Sequence, residues 1–194
     1  MKRGGLMLLL SALALSALQI GFLSWTILSR AAVLRDGREV LLKVEPVDPR
    51  DWLRGDYVRL NYEARTVPAS LVENRGAAEV VRDGDVYVRL GRDSDGYWRV
   101  RAASLGAALS TPAGPDEVDV LGKAGAGWSL PPDGSLTVDY GINRYYVPEG
   151  EGRAIEADMR ERPFGILAAV GRDGRAQIKA LMDGQTPLYE EPLY

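Results

Sequence analysis

The chain has 194 residues, with 24 basic and 27 acidic side chains, no cysteine and no histidine. These absences exclude disulfides, thiolate nucleophiles, Cys/His zinc sites and catalytic triads with a histidine base. Three basic residues lie within the first 30 positions, so the remaining 27 acidic and 21 basic side chains give a net charge of −6, which argues against nucleic acid as a partner. The length fits one globular domain with an additional segment.

The first 30 residues differ in kind from the rest of the chain. Lys2 and Arg3 precede an uncharged run, residues 4–29, which is rich in Leu, Ala and Ser. About 20 apolar residues cross a bilayer as a helix, whereas the apolar core of a cleaved signal peptide has about 7–15 residues. The sequence therefore predicts a transmembrane anchor over residues 1–30 that contacts membrane lipid. A long signal peptide, cleaved just after this run, is the alternative.

The charges that flank this run bear on its orientation. Two basic residues precede the run, and four basic residues, diluted by two acidic ones, lie within residues 30–43. Long domains translocate largely regardless of such charges, and a short basic tail before an apolar run is typical of an export signal. We therefore expect the N-terminus inside the cell and the domain on the extracytoplasmic side of the membrane.

Beyond residue 31 the chain is patterned mainly as short strands. Residues 40–44 alternate apolar and polar side chains, and alternating runs around a glycine-containing turn predict hairpins at residues 85–103 and 163–184. A further alternating run places four residues on one face: Val58, Leu60, Tyr62 and Ala64. The pattern predicts a mainly β domain over residues 31–186, built from antiparallel sheet and hairpins and barrel- or sandwich-like in form.

The remaining segments carry weaker signals. One short helix is predicted across residues 149–161, where acidic residues come early and apolar residues recur four apart. Glycine and proline predict loops at residues 104–117 and 122–134. Two prolines predict an extended tail over residues 187–194.

The densest stretch of the domain is residues 48–63, DPRDWLRGDYVRLNYE, which combines charges, aromatic side chains, a proline and a glycine. Asp48 followed by proline predicts a short helical turn, and Gly55 suits its end. On that interpretation the charged residues are surface charges paired around a turn. The alternative is a recognition site formed by Arg54, Asp56 and nearby tyrosines.

Within this stretch, GDYVRLNY resembles the motif that names the GDYXXLXY family of bacterial proteins, with matches at Gly55, Asp56, Tyr57, Leu60 and Tyr62. The flanking PVDPRDWLRGDY and the later GINRYYVPEGEGRAIE are also similar to that family, and the resemblance covers most of residues 40–183. It implies a membrane-anchored domain that often accompanies multi-pass membrane proteins. It implies no established activity and no catalytic residue.

A second motif, NRYYVPEGEG at residues 143–152, again mixes charge with tyrosine. Adjacent tyrosines on a strand point to opposite faces, so only one of the two joins a given surface. Strands that are distant in sequence often pair, and we therefore predict that the two motifs share one surface region. The predicted binding site consists of Arg54, Asp56, Tyr57, Arg144, Tyr145 and Glu149.

Two enzymatic alternatives stay open. A signal-peptidase-like enzyme needs a serine and a lysine base, but Glu45 stands where the nucleophile is expected, and the domain has only Lys43, Lys123 and Lys179. A carboxylate-dependent hydrolase, or a binder of an envelope saccharide, would draw on a set of acidic residues. That set is Asp48, Asp51, Asp56, Glu149 and Glu151.

The residues and the resemblance together favour a binding module over an enzyme. We expect a single-pass protein of the bacterial inner (plasma) membrane that binds or assembles with a partner, foremost a multi-pass membrane protein. No catalytic residue, metal or cofactor is assigned, and nucleic acid is not expected as a partner.

Overall fold

The computed structural model describes residues 3–45, 57–75, 84–125, 133–146, 155, 158, 162–184 and 186–190. The helix α1 runs through Arg3–Asp36 and has 34 residues. It is apolar on all sides, and its apolar part is not buried against the rest of the protein. A helix of this kind is typical of a membrane span rather than of a surface helix, which buries one stripe. Its length and composition fit membrane anchoring.

Two five-stranded antiparallel sheets and a two-stranded ribbon follow the helix. The first sheet contains β1 (Arg38–Glu45), β3 (Asn61–Tyr62), β10 (Phe164–Val170), β11 (Ala176–Asp183) and β12 (Thr186–Glu190). The second sheet contains β4 (Thr66–Pro68), β5 (Gly84–Arg92), β6 (Trp98–Leu105), β7 (Glu117–Ala124) and β8 (Ser135–Asp139). The ribbon pairs β2 (Tyr57–Arg59) with β9 (Arg144–Tyr146).

The spatial order of the strands is β12-β11-β10-β1-β3 in the first sheet and β4-β8-β7-β5-β6 in the second. This arrangement confirms the predicted mainly β fold of antiparallel sheets behind an N-terminal apolar helix, and the sheets do not close into a barrel. Both predicted hairpins are present, as β5–β6 and as β10–β11. The end of the chain also contributes, because β12 pairs with β11.

The two sheets share one hydrophobic core. The alternating residues of β1 face this core as predicted: Val40, Leu42 and Val44 are all buried. The largest fully buried side chains come from both sheets and are Tyr62, Phe164, Leu90, Leu136, Ile166 and Leu181. Alternation of buried and exposed positions along the strands therefore fixes the register, since a slip by one residue would expose this set.

The structure differs from the sequence-based predictions in two places. The run from residue 57 to 64 is not one strand, because the chain changes partner: β2 pairs with β9 and β3 pairs with β1. A short 3-10 turn, Glu63–Arg65, follows. The strand β7 is not among the predicted strands, and its first residue and last three residues fall in two segments predicted to be loops. It lies in the middle of the second sheet.

The predicted short helix falls mostly outside the described residues. Ile155 and Asp158 have helical backbone, and Ile155 is buried. The backbone N–H of Arg162 donates to the carbonyl of Asp158 at 2.9 Å, a four-residue spacing that is helical.

The junction between α1 and the first sheet is short and closely packed. Leu34, near the end of the helix, is buried against the domain. A single residue, Gly37, separates α1 from β1, and its N–H donates to the carbonyl of Val33 at 2.9 Å. A Cβ atom at Gly37 would collide with that carbonyl and lie 3.0 Å from the carbonyl of Val170 in β10. Glycine is therefore required here by close approach of the backbone.

Candidate functional site

The two sequence motifs lie side by side. In the ribbon, Tyr57 is opposite Tyr146 and Arg59 is opposite Arg144. The ladder continues past the ribbon, where the N–H of Leu60 donates to the carbonyl of Asn143 at 3.0 Å. Backbone pairing thus joins segments that are more than 80 positions apart in the chain.

Two buried tyrosines reinforce this junction from within. The hydroxyl of Tyr62, the last residue of GDYVRLNY, donates to the carbonyl of Ile142 just before the second motif. The hydroxyl of Tyr140 donates to the carbonyl of Ala64 at 2.7 Å. Leu60, like Tyr62, is buried in the shared core. Two of the five motif positions are therefore architectural.

These tyrosines predict a loss of stability at alkaline pH. Burial raises the pKa of Tyr62 and of Tyr140 above the ordinary value of a tyrosine hydroxyl. The unfolded chain therefore loses these two protons first, and stability falls as the pH rises beyond about 10. The contribution of each tyrosine approaches about 1.4 kcal/mol per pH unit above pH 10, so this pair should lower the free energy of unfolding by about 3 kcal/mol in total between about pH 9 and about pH 11.

Urea denaturation at a series of pH values from about 9 to about 11 measures this slope. The matched control is the double variant Tyr62→Phe/Tyr140→Phe, which has no hydroxyl to titrate at either position. We expect it to be less stable at neutral pH, because two buried carbonyls lose their donors, but to lack this part of the alkaline decline. Parallel pH profiles for the two proteins would contradict the assignment.

The structure places the predicted site residues unevenly. Arg144 is exposed, and Tyr145 is only 3% exposed, so the Tyr145 side chain belongs to the core. Its neighbour Tyr146 is 71% exposed and is the tyrosine that this strand presents to solvent. Tyr57 is placed by its backbone in β2. Three predicted residues lie outside the described part of the chain: Arg54, Asp56 and Glu149.

The ribbon lies at the end of the domain away from α1. The strand β1 leaves the helix at Arg38 and pairs with β3 only at its last two residues, Val44 and Glu45. A strand rises about 3.3 Å per residue, so Glu45 is about 23 Å along β1 from Arg38. The paired motifs are therefore far from the apolar helix, and any surface that they form lies equally far from it.

A comparison with known protein families identifies a match that covers most of the chain. The model of the GDYXXLXY protein family matches residues 19–181. The chain belongs to the GDYXXLXY family. The match begins inside α1 and ends in β11, so it includes both motifs, the junction with the helix, the second sheet and the first sheet up to β11, but not β12. No curated protein and no solved structure matches the chain.

Among the described residues of this GDYXXLXY protein, the most buried charge lies in the second sheet. The side chain of Arg89 is 6% exposed and forms two hydrogen bonds with the carboxylate of Asp119, at 2.7 and 2.8 Å. It also donates to the carbonyl of Thr111 at 2.6 Å and to its hydroxyl at 3.0 Å. The arginine therefore ties strands β5 and β7 to the loop before β7, and sequence reasoning did not single it out.

A second charge cluster surrounds the β5–β6 turn. Arg99 pairs with Asp93 at 2.6 Å and with Asp95 at 2.7 Å, and Arg101 also pairs with Asp93. The hydrogen bond from Arg99 is the main cause that lowers the pKa of both carboxyl groups. A general acid needs a raised pKa instead, so this turn is not suited to acid catalysis.

Two of the three lysines considered for catalysis form ion pairs. Lys123 pairs with Asp85 at 3.2 Å, and Lys179 pairs with Glu39 at 2.6 Å. Among the residues that the structure describes, no group of three or more acidic side chains is arranged to hold a metal ion.

An open groove of about 560 Å³ lies beside the start of β1. Arg38, Leu41, Trp98 and Met182 contribute to its lining. The guanidinium of Arg38 lies 5.5 Å from the centre of the Trp98 ring and donates to the carbonyl of Pro115. Because this arginine already has an aromatic and a carbonyl partner, it acts first as a structural contact between the sheets.

Proposed function

We propose that this GDYXXLXY protein is a single-pass anchored domain on the extracytoplasmic side of a bacterial inner membrane, where it binds or assembles with a membrane-protein partner. The proposed contact surface surrounds the paired strands β2 and β9. It comprises five of the residues predicted from the motifs, Arg54, Asp56, Tyr57, Arg144 and Glu149, together with Tyr146, whereas the predicted Tyr145 supports it from the core. The observation that carries the proposal is the pairing of the two motifs in one ribbon.

The exposed side of β9 has the chemistry of a protein contact. Tyr146 is 71% exposed although it sits in a strand, and exposed Arg144 lies two residues before it on the same face. Tyrosine and arginine are enriched at the centres of protein interfaces, where they carry a large share of the binding energy. These two residues are therefore the anchors that we propose for the partner.

The core beneath the ribbon holds this surface in place. Tyr145 is buried between the exposed pair, and the Tyr62 hydroxyl is bonded to Ile142 at the start of the same segment. A surface that is ordered before binding loses less conformational entropy when a partner docks. The architectural tyrosines of the motifs thus support the proposed recognition residues.

The geometry also limits where the partner is contacted. The ribbon lies at the far end of β1, about 23 Å along that strand from its membrane-proximal start. The helix would keep the domain and the partner in the same membrane, which raises their effective concentration. A multi-pass partner would then be contacted through a loop or domain that projects from the bilayer.

Co-purification from native membranes tests the proposal. We expect the variant Arg144→Gln/Tyr146→Ala, and separately Asp56→Asn and Glu149→Gln, to lose the membrane-protein partner that the unaltered chain retains. Arg92→Gln, which changes an exposed arginine outside the ribbon, is the matched control and should retain it. Melting temperatures close to that of the unaltered chain show that lost binding is not lost folding.

Two results would overturn the proposal. Equal recovery of the partner by the ribbon variants and by the Arg92 control would remove the ribbon from the interface. An intact mass that corresponds to a chain beginning near residue 31 or 32 would show that the apolar helix is cleaved off. The proposal of an anchored domain would then be wrong.

A further inference from the structure

The end of α1 and the β10–β11 turn form one structural unit. Near the end of α1, residues 31–33 are half-buried and Leu34 is buried. The turn packs on this part of the helix, since a Cβ at Gly171 would lie 3.1 Å from a methyl group of Val33. The N–H of Gly171 donates to the carbonyl of Arg175 at 2.9 Å and closes the turn. The turn is also held by β7, because the N–H of Leu121 donates to the carbonyl of Gly174 at 2.8 Å. The helix and β7 together therefore fix the position of residues 171–175.

The length of the apolar segment sets the height of this unit above the bilayer core. Residues 5–24 would span about 30 Å as a helix, the thickness of the hydrocarbon region. Trp25 is 74% exposed, and tryptophan favours the membrane interface. Arg30 then lies about 7.5 Å beyond Trp25, within the headgroup layer, and Val33 lies about 4.5 Å further out. The turn is consequently within one Debye length, about 8–10 Å, of the lipid phosphates.

The region formed by the end of α1 and the β10–β11 turn is basic, although the domain as a whole is acidic. Four exposed arginines surround it, and we name them the basic collar: Arg30, Arg35, Arg172 and Arg175. Two acidic residues accompany them, Asp36 and Asp173. The collar with these two acids has a net charge of +2, whereas the chain beyond Arg30 has a net charge of −6.

The two acidic neighbours do not prevent the arginines from exchanging a carboxylate partner for a phosphate. Arg35 bonds Asp36 at 2.9 Å with its side chain 71% exposed, and Arg175 approaches Asp173 at 3.7 Å with its side chain 76% exposed. Such exposed ion pairs add little stability. Arginine binds phosphate through two parallel N–H donors, which suits it to a lipid headgroup.

We infer that the basic collar binds the phosphate groups of anionic phospholipids and so seats the domain against the membrane. This inference rests on the anchored arrangement proposed above, but not on the identity of any protein partner. The β10–β11 turn is then a membrane contact, and the ribbon at the opposite end of β1 stays free for recognition.

Lipid selectivity of the full-length chain tests the inference. The chain, of verified intact mass, is reconstituted in nanodiscs that contain equal amounts of phosphatidylglycerol and phosphatidylcholine. Native mass spectrometry then measures which lipid stays bound after mild release. We expect phosphatidylglycerol to be enriched. Because one arginine near an anionic surface changes binding roughly fivefold, Arg172→Glu/Arg175→Glu should lower the enrichment at least fivefold.

Matched controls separate charge from shape. Arg172→Lys/Arg175→Lys keeps both charges and should keep most of the enrichment. Lys43→Glu reverses an exposed charge near the far end of β1 and should have no effect. Unchanged melting curves exclude misfolding of the turn. Equal retention of the two lipids by the unaltered chain, or undiminished enrichment in the glutamate variant, would overturn the inference. Either result would leave partner binding at the ribbon standing, since that is measured by co-purification.

Discussion

Replacing Leu60 with alanine should destabilise the domain by about 2–5 kcal/mol, whereas replacing its neighbour Asn61 should cost about 1 kcal/mol or less. Leu60 is 2% exposed in the shared core, so truncation leaves a cavity that rigid strands on both sides cannot fill. The amide of Asn61 is half-buried and bonds the Glu45 carboxylate at 2.9 Å and the Arg65 guanidinium at 3.1 Å. Such partially solvated contacts are replaced by water at little cost.

Urea denaturation of the two variants measures the difference, and the adjacent positions serve as each other's control. A shift of the transition midpoint at constant slope indicates a change in stability alone. If both variants lost the same free energy, the alternation of buried and exposed residues across the motif would not hold. The motif would then have to be explained by its surface residues.

The ion pair in the second sheet should respond asymmetrically to mutation. Removing its more exposed member, by Asp119→Ala, should cost about 3 kcal/mol, because an arginine whose side chain is 6% exposed then keeps its charge without the bidentate partner. Arg89→Met should cost less, since an apolar side chain of similar length fills the same space. The carboxylate that it leaves behind is 31% exposed and can be hydrated.

Thermal and urea unfolding of the two single variants and of the double variant separate these contributions. The double variant should be close to Arg89→Met alone, because the aspartate matters only while the buried guanidinium is present. A greater loss from Arg89→Met than from Asp119→Ala would show that packing and the bonds to Thr111, rather than the charge pair, dominate this site.

Much of the fold could be predicted because its signals are local. The β5–β6 and β10–β11 hairpins each combine alternating runs with a glycine-containing turn, and these features lie within about 20 residues of one another. The strand β7 lacked such a signal. Its Glu117 and Asp119 look like loop residues, and their partner Arg89 is about 30 positions away. Gly122 also weakens the pattern, but a Cβ there would collide with Val138.

The candidate site could be predicted only in part for the same reason. Period-two alternation was enough to predict that Leu60 and Tyr62 are buried, and both are buried in the structure. Alternation also indicates that adjacent tyrosines face opposite ways, but not which of them faces inward. That choice depends on contact with the opposite strand, as does the hydrogen bond from Tyr62 to Ile142, across 80 positions.

The single residue between helix and sheet has a mechanical consequence. With only Gly37 between them, and that position closed by the carbonyls of Val33 and Val170, α1 and β1 cannot swivel independently. A bilayer that becomes thinner makes a long apolar helix lean further from the membrane normal. Because the junction is rigid, a change in the tilt of the helix also displaces the ribbon sideways at the far end of β1. Bilayer thickness would thereby set the orientation in which the ribbon faces neighbouring proteins.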